Sequence, residues 1–402
     1  MSPLDDVTVI DFTKFIAGPL CTQYLGDMGA SVIKIEDCGR GDDLRGMPPF
    51  IGDDGAMFYG MNRNKRSLAL NLKSSQGLDV ARQLICKADV LIESFGTGVA
   101  SRLGIGPEEM RKLNPRLVYC SVSGFGRTGP KGERPGFELM MQAHSGLMLT
   151  TGEPGSGPLR IGFSPLDQTT GIHAVSAILG GLRLRDRTGD GTFVEVSLLE
   201  TAMGLMAWHA QTYWMTGERP APPGSGHESL CPYKAFKAKD GFLLLAIGSD
   251  GLWRKFCEAV GIPHLGDSST FHTNAARVEN RCQTLNVVQD IISEKTIEEW
   301  TCIFVMAGIP SSPINNIDTA LKDPQLTARQ VVMTYEHPVG GRMKSMAHPV
   351  LFEGTPRVVR LPPPMHGEHS REILKEKLDI TDGAIDELIR TGSLKADSMR
   401  SE

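Results

Sequence analysis

The chain opens with Val7-Thr8-Val9-Ile10-Asp11-Phe12, an apolar run typical of a strand buried on both faces of a sheet. Gly18-Pro19 follows and predicts the first turn of a helix, because proline fits where the backbone N–H groups have no helical partner. Gly29 predicts the end of that helix, and residues 31–35 form a second apolar run. Strand, helix and strand in this order predict a βαβ unit within a parallel sheet.

This βαβ unit resembles the start of a Rossmann fold, including the acidic Glu36-Asp37 after the second strand. The turn Thr13-Lys14-Phe15-Ile16-Ala17-Gly18 lacks the G-x-G-x-x-G pattern of dinucleotide-binding proteins, so a nicotinamide dinucleotide is disfavoured. Strand, loop and helix patterns recur further along the chain. Ligands are therefore expected at the carboxyl ends of the parallel strands.

Length and composition bound the class of protein. The 402 residues exceed what one hydrophobic core usually supports, so two domains are expected. The 42 basic and 47 acidic residues give a net charge of −5, which predicts no general affinity for nucleic acid or anionic membrane. Because no apolar run spans a bilayer and the first residues resemble no targeting signal, a cytoplasmic protein is expected.

The eight cysteines form no CxxC pair and show no metal-ligand spacing. Reduced, mostly buried thiols and no metal site are therefore expected. Three cations in four residues, Arg63, Lys65 and Arg66, form a basic cluster whose usual interpretation is solvated surface and whose alternative is a phosphate site. His144 lies within a helix-like run, where a lone histidine is more often structural than catalytic.

The domain prediction rests on a change of composition near residue 220. A first part of a Rossmann-like domain, 1–215, ends in a run with the aromatic Trp208, Tyr213 and Trp214, typical of a core or a subunit interface. A Pro/Gly-rich linker, 216–230, leads to a smaller α+β domain, 231–320, with a hairpin and the capping box Thr296-Ile297-Glu298-Glu299. Residues 321–402 return to the large domain, with strands predicted at 331–335 and 350–352 and a charged terminal helix.

One acidic residue, Asp167, stands at the first turn of a predicted helix, directly after the Gly/Pro-rich segment 152–165. It has two interpretations. As an N-cap it would accept a backbone N–H bond and have no other role. As a covalent nucleophile it would attack a substrate carbonyl, and the positive end of the helix dipole would keep it ionised at neutral pH. Gly162 and Gly171 on either side would let a bulky substrate approach.

Short motifs along nearly the whole chain resemble the class III CoA-transferases, a family that includes formyl-CoA transferase, carnitine CoA-transferase and α-methylacyl-CoA racemase. The motifs are Asp11-Phe12-Thr13, Ala17-Gly18-Pro19, Gly29-Ala30-Ser31-Val32-Ile33-Lys34-Ile35-Glu36, Asn64-Lys65-Arg66-Ser67, Ser123-Gly124-Phe125-Gly126, Gly129-Pro130, Gln142-Ala143, Ser145-Gly146 and His366-Gly367-Glu368-His369. Within the family the chain is most similar to the succinate–hydroxymethylglutarate CoA-transferase branch. The segments Ser197-Leu198-Leu199, 232–237, Gly308-Ile309-Pro310 and 313–316 carry this similarity.

The resemblance implies an activity and an assembly. It implies a transferase that moves CoA from a donor such as succinyl-CoA to a small carboxylic acid, often a dicarboxylic one, with Asp167 as nucleophile. The intermediates would be an aspartyl anhydride and an aspartyl-CoA thioester. It also implies CoA thioester as substrate with no permanently bound cofactor, and a homodimer of two interlocked, ring-like subunits.

The resemblance places the family's functional positions on particular residues. Glu138 matches a glutamate close to the nucleophile, and the resemblance implies that Gly224 to Glu228 correspond to a glycine loop that covers the site in some members. The implied CoA-contacting residues are Ile16, Ala17, Asn71, Leu72, Lys73, Phe95, Gly96, Arg102 and Phe137. Two departures make oxalate or formate specificity doubtful, since Ile16 stands where formyl-CoA transferase has a glutamine and Asp37 where it has an arginine.

Two alternatives to a CoA-transferase are a 2-methylacyl-CoA racemase of the same fold and a non-catalytic acyl-CoA-binding protein. A racemase needs an acid/base pair at the α-carbon, and Phe137 stands where racemases have the histidine of that pair. A binding protein needs no accessible nucleophile, so labelling of Asp167 by a reactive acyl-CoA would separate it from an enzyme.

Overall fold

A computed structural model describes residues 2–396. The chain divides into two compact units. The large unit contains the residues up to Leu147, then Ile161–Trp214, then the residues from Pro324 onward. The small unit contains Met148–Arg160 and Met215–Asp323. The large unit is thus built from three separate stretches of sequence.

Strands make four sheets in the described part of the chain. They are β1 (Thr8–Asp11), β2 (Ser31–Glu36), β3 (Phe50–Ile51), β4 (Asp54–Gly55), β5 (Lys65–Leu70), β6 (Val90–Glu93), β7 (Val118–Ser123), β8 (Phe193–Ser197), β9 (Tyr233–Lys237), β10 (Phe242–Ala246), β11 (Ser311–Pro313), β12 (Val332–His337), β13 (Gly341–Met346) and β14 (Leu394–Lys395). The large sheet has the order β14-β5-β2-β1-β6-β7-β8, and all its pairs are parallel except β14 with β5.

Helices cover both faces of the large sheet and make most of the small unit. They are α1 (Ala17–Asp27), α2 (Ala56–Met61), α3 (Ser75–Cys86), α4 (Val99–Arg102), α5 (Pro107–Leu113), α6 (Glu138–His144), α7 (Pro165–Thr188), α8 (Leu198–Leu205), α9 (Ala207–Thr216), α10 (Asp250–Ala259), α11 (Pro263–Gly266), α12 (Asn274–Glu279), α13 (Arg281–Ile292), α14 (Ile297–Ala307), α15 (Ile317–Ala320), α16 (Pro324–Ala328), α17 (Ser370–Leu378) and α18 (Asp382–Arg390). Short 3₁₀ turns occur at Asp43–Gly46 and Leu147–Leu149.

The large sheet separates two hydrophobic cores because its strands are apolar on both faces. In β1, Ile10 faces a core shared with α3, α5, α17 and α18, whereas Val9 faces a core shared with α1 and α7. Both side chains are fully buried. The prediction of an α/β protein with a largely parallel sheet is therefore confirmed.

The small unit has an α+β architecture. Its three-stranded sheet has the order β11-β10-β9, and β9 and β10 form the predicted hairpin. One core contains Trp253, Phe256, Trp300 and Phe304. The predicted capping box is present at the start of α14, where Thr296 accepts from the N–H of Glu299 and the Glu299 carboxylate accepts from the N–H of Thr296.

Several local predictions were wrong near the end of the chain. No strand forms at 350–352, where Pro349 interrupts strand pairing; β12 instead pairs with β13 in an antiparallel hairpin. The terminal charged region is two helices, α17 and α18, and β14 then joins the edge of the large sheet. Much earlier in the chain, the run with Trp208, Tyr213 and Trp214 forms α9, which Met206 separates from α8.

Within residues 2–396, no helix is both long and apolar enough to cross a membrane. All eight cysteines are free thiols, but only Cys21, Cys120, Cys231 and Cys257 are buried. The expectation of mostly buried thiols thus holds for half of them.

Candidate active site

The carboxyl edge of the large sheet contains a topological switch point between β1 and β6. The chain runs outward from β1 to β2 and β5, and then returns to β6 on the other side of β1. The loops after β1 and β6 therefore diverge to opposite faces, which is where α/β proteins bind ligands. The two loops are joined, because the backbone N–H of Lys14 donates to Ser94 Oγ at 3.3 Å.

Buried charges hold the loop after β1. Asp11 and Lys34 are fully buried, and Asp42 is 1% exposed. Lys34 Nζ donates to the carbonyl of Thr13 at 2.8 Å and lies 2.8 Å from Asp42 Oδ2. Asp11 Oδ1 accepts from the N–H of Thr13 at 2.8 Å. Because a buried charge without its partner is costly, these contacts fix the position of the loop.

Phe15 in this loop adopts a left-handed backbone conformation, with a φ of +64°. A bulky residue rarely adopts such a φ, and such strain is common at functional sites. Asp42 Oδ1 accepts from the N–H of Phe15 at 3.2 Å. The Phe15 ring meets the Phe137 ring edge-on, with centroids 6.1 Å apart. The loop after β1 is thereby brought next to the start of α6.

Asp167 is the third residue of α7, and Ser164 occupies the N-cap position. The N-cap interpretation of Asp167 is therefore wrong: the proline at position 165 starts the helix two residues earlier than Asp167. The Asp167 side chain is partly exposed. Within residues 2–396 no hydrogen bond or ion pair to its carboxylate is formed. Asp167 is thus an unpartnered carboxylate in the first turn of a 24-residue helix.

Glu138 begins α6 and is 8% exposed. Gln142 Nε2 donates to Glu138 Oε1 at 2.7 Å, while Gln142 Oε1 accepts from the N–H of Ile161 at 3.0 Å. A small apolar cluster of Met141, Leu166, Leu198 and Ala202 joins α6, α7 and α8. Because Met141 is one turn from Glu138 and Leu166 is adjacent to Asp167, this packing brings the two carboxylates together.

The ionisation of Asp167 differs from the expectation based on the helix dipole. Burial, and then the negative charge of Glu138, raise the pKa of Asp167 from its ordinary 3.8 to about 7. The dipole near a helix N-terminus favours a carboxylate by only about 0.3–1 kcal/mol. Loss of solvent and a neighbouring like charge outweigh it. Near neutral pH the carboxyl group is therefore divided between its two protonation states.

The sequence-predicted positions around Asp167 belong to one region of the large unit. A Cβ atom on Gly171, one turn after Asp167, would lie 2.6 Å from the carbonyl oxygen of Ala17, so α7 packs closely on the start of α1. Ile16 is the N-cap of α1 and is buried. Phe137 is the N-cap of α6 and is 58% exposed. Asp167, Glu138, Phe137, Ile16 and Ala17 are thus brought together.

The other predicted CoA contacts lie along the same edge but further away. Asn71, Leu72 and Lys73 follow β5, and Phe95 and Gly96 follow β6. Three strand spacings separate β5 from β6, which corresponds to about 14 Å. Arg102 ends the short helix α4 and is exposed. Only an extended ligand could contact all of these positions and Asp167 together.

The basic cluster proved to be neither solvated surface nor a phosphate site. Arg63 pairs with Asp27 at 2.5 Å, and the fully buried Lys65 lies 3.3 Å from Asp11. Arg66 pairs with Glu372 and Glu376 of α17. Each of the three cations therefore forms an ion pair with an acidic side chain of the large unit, which leaves none of them free to bind a phosphate.

His144 and the Gly224–Gly226 loop have contacts of their own. His144 is exposed, lies 2.7 Å from Lys131 Nζ and packs edge-on against Phe125. In the small unit, the N–H of Gly224 donates to the carbonyl of Gly152 at 2.8 Å. Gly224 has a φ of +66°, a left-handed backbone conformation that favours glycine. Among residues 2–396, no cluster of three or more His, Cys, Asp or Glu side chains could hold a metal ion.

Replacement of Asp167 by asparagine is expected to stabilise the protein by about 1–3 kcal/mol at pH 8. An acid whose pKa rises from 3.8 to about 7 on folding binds its proton more tightly in the folded chain. As the pH rises from 3.8 toward 7, ionisation of Asp167 favours the unfolded chain and lowers the free energy of unfolding. Asparagine cannot ionise, so the substitution removes that cost. Thermal unfolding at pH 4, 6 and 8 measures it. The gain should grow with pH and be absent for Asp186→Asn, an exposed change at the far end of α7. Equal melting temperatures at pH 8 would contradict the expectation.

The chain is similar to known CoA-transferases along most of its length. The family model of CoA-transferase family III matches residues 4–370. The chain is 36% identical to succinyl-CoA:glutarate CoA-transferase of Mus musculus, covering 98% of this chain and 91% of that protein. It is also 36% identical to succinate–glutarate CoA-transferase of Agrobacterium fabrum, covering 93% and 95%.

A solved structure shows the same fold. The crystal structure of a CAIB/BAIF family protein from Brucella suis has a TM-score of 0.83 and 33% identity, covering 94% of this chain and 99% of that one. The sequence resemblance to class III CoA-transferases is therefore confirmed. This chain belongs to CoA-transferase family III and is an enzyme of that family.

Proposed function

We propose that this enzyme transfers CoA from succinyl-CoA to a short dicarboxylic acid, with Asp167 as the covalent nucleophile. The observation that carries the proposal is the unpartnered Asp167 carboxylate in the first turn of α7, with a pKa of about 7. A carboxylate that caps nothing and pairs with nothing has no structural role to explain its burial. The two relatives named for succinate and glutarate support the choice of donor and acceptor.

The proposed reaction uses two anhydrides and one thioester on Asp167. The Asp167 carboxylate attacks the thioester carbonyl of succinyl-CoA, which gives a mixed anhydride and CoA thiolate. The thiolate attacks the aspartyl carbonyl, which forms the aspartyl-CoA thioester and releases succinate. The acceptor carboxylate attacks that thioester and expels the thiolate. The thiolate then attacks the acceptor's carbonyl, which frees acyl-CoA and restores Asp167.

The remaining site residues are assigned by position. Glu138 controls the charge state of Asp167, and the thioester end of CoA lies near Ile16, Ala17 and Phe137. The extended CoA chain follows the carboxyl edge toward two further groups. The first group is Phe95 and Gly96 in the turn after β6, with Arg102 at the end of α4. The second group is Asn71, Leu72 and Lys73 after β5. In this assignment the large CoA-binding domain is 1–215 with 321–402, and 231–320 is the small domain.

The test is a mass-spectrometric assay of CoA esters. The protein is incubated with succinyl-CoA and, separately, with glutarate, other short dicarboxylates, oxalate, formate and a monocarboxylate of matched length. A new CoA ester of a C4 to C6 dicarboxylate is expected, with equimolar release of succinate. Exclusive transfer to a monocarboxylate would overturn the acceptor class. Deuterium exchange at the α-carbon of a 2-methylacyl-CoA at turnover rate would favour the racemase instead.

A homodimer is part of the proposal. Helix α9 buries none of its ten residues in a single chain, and Trp208, Tyr213 and Trp214 are 53%, 47% and 74% exposed. Exposed aromatic surface of this kind is typical of a subunit interface. Light scattering at micromolar concentration is expected to give twice the 43.7 kDa chain mass. Because interlocked subunits cannot separate while folded, dilution to nanomolar concentration should leave the dimer intact; an active monomer would contradict this assembly.

A further inference from the structure

The loop after β7, residues 124–137, has Arg127 in its glycine-rich first part, Gly124-Phe125-Gly126-Arg127. An arginine in a glycine-rich loop at the carboxyl edge of a parallel sheet would ordinarily be interpreted as a phosphate ligand. Its side chain, however, is only 16% exposed. The contacts of its guanidinium group decide what it can do.

All five N–H bonds of the Arg127 guanidinium have partners inside the protein. Nε donates to Ser121 Oγ at 2.7 Å. Nη1 donates to the carbonyl of Phe95 at 2.7 Å and lies 3.5 Å from Thr97 Oγ1. Nη2 donates to the Glu93 carboxylate at 3.1 and 3.2 Å and to the carbonyl of Val122 at 3.0 Å. Arg127 therefore has no donor left for a phosphate.

These contacts converge on the turn Ser94-Phe95-Gly96-Thr97-Gly98, which follows β6 at the switch point. Arg127 contacts two of its residues, and the Glu93 carboxylate also accepts from the N–H of Phe95 at 2.7 Å. Thr97 Oγ1 donates to the carbonyl of Gly132 at 2.5 Å. The backbone N–H of Arg127 itself is anchored on Glu195 of β8. Gly96, at the middle of the turn, is exposed.

A purely structural role would be a buried ion pair between Arg127 and Glu93, which is 4% exposed. Such a pair contributes little net stability, because desolvation of two charges offsets their attraction. The ion pair with Glu93 also requires only the hydrogen bonds that Arg127 Nη2 donates to the Glu93 carboxylate. The bonds from Nη1 to the backbone of Phe95 and to Thr97 instead determine the shape of the turn.

We propose that Arg127 is a positioning residue for CoA, which holds the turn 94–98 in the conformation that receives the CoA chain. It acts through the backbone of Phe95 and through Thr97, and it does not touch CoA. The inference rests on the proposed function, since it takes Phe95 and Gly96 as CoA contacts. It assigns a role in CoA binding to a mostly buried arginine that is not among the implied CoA contacts.

The test separates CoA binding from catalysis and from acceptor binding. Arg127→Gln is expected to weaken binding of free CoA, measured by calorimetry, by about tenfold, which corresponds to the entropy of ordering one residue of the turn. KM for succinyl-CoA should rise by a similar factor, whereas kcat and KM for the acceptor should change less than about twofold. Arg127→Lys, which keeps the charge and one donor to Phe95, should recover part of the affinity. Arg134→Gln, a change at an exposed arginine of the same loop, should leave every value unchanged.

The possible outcomes separate the positioning role from the proposed function. If wild-type protein binds no CoA, the proposed function fails. If wild-type protein binds CoA and Arg127→Gln binds it equally well, the positioning role alone fails. If Arg127→Gln does not fold, the double variant Arg127→Gln/Glu93→Gln removes the buried charge left behind and is judged by the same comparison. A fall in kcat at unchanged KM and unchanged CoA affinity would also overturn the inference.

Discussion

Asp167→Asn and Asp167→Ala are each expected to lower the rate of CoA transfer by on the order of 10⁴-fold or more, while the fold and the affinity for CoA survive. Neither an amide nor a methyl group can form the anhydride with the donor's acyl group. Loss of the covalent path removes the reaction, because both anhydrides and the thioester of the proposed mechanism form on the Asp167 carboxyl group. The measurement is the initial rate of formation of the new CoA ester, with CoA binding followed separately by calorimetry.

The two substitutions also separate the nucleophile from a structural role. Because Ser164 is the N-cap of α7, replacement of Asp167 should not disturb capping. Above pH 7, Asp167→Asn should be more stable than the wild-type protein. Asp186→Asn on the same helix is the matched control and should keep full activity. Hydroxylamine added during turnover should modify only the peptide that contains Asp167. An Asp167→Asn protein that retained substantial turnover, with deamidation excluded by mass, would end the proposed mechanism.

The parallel sheet was predictable because its signals are local. Apolar runs in β1 and β2 are separated by the proline and glycine that begin and end α1. Strand β14 gives no such signal, since two residues, Leu394 and Lys395, are too short for a pattern. They become a strand only because β5 offers a free edge after folding. Tertiary pairing therefore determines what sequence periodicity cannot.

The charges around the site could not be assigned from sequence for a related reason. Arg66 pairs with Glu372 and Glu376, some 300 positions away, and Lys65 with Asp11, 54 positions away. The sequence shows the cations together but gives no indication of their partners. The pKa of Asp167 is likewise not predictable from the local sequence. The start of a helix would lower this pKa, whereas burial and the charge of Glu138 raise it. Distance in sequence conceals the interactions that decide the chemistry.

Glu138 provides the second large expected effect, on the pH dependence of the reaction. Only the ionised Asp167 attacks a thioester, so kcat/KM for succinyl-CoA should rise about tenfold per pH unit at low pH and level off above the pKa of about 7. At pH 5 the wild-type value should therefore be about a hundredfold below its plateau. Glu138→Gln removes the like charge that raises the pKa of Asp167. The midpoint should accordingly move to lower pH, and activity at pH 5 should increase relative to the plateau.

The midpoint should nevertheless stay above 3.8, because burial is the larger cause of the raised pKa and is unchanged by the substitution. Glutamine at position 138 still has an oxygen that can accept from Gln142 Nε2, so the start of α6 is preserved. Glu133→Gln, at an exposed residue five positions earlier, makes the same change in net charge and should leave the midpoint where it is. A midpoint that stayed fixed or rose in Glu138→Gln would show that Glu138 does not act on the charge of Asp167.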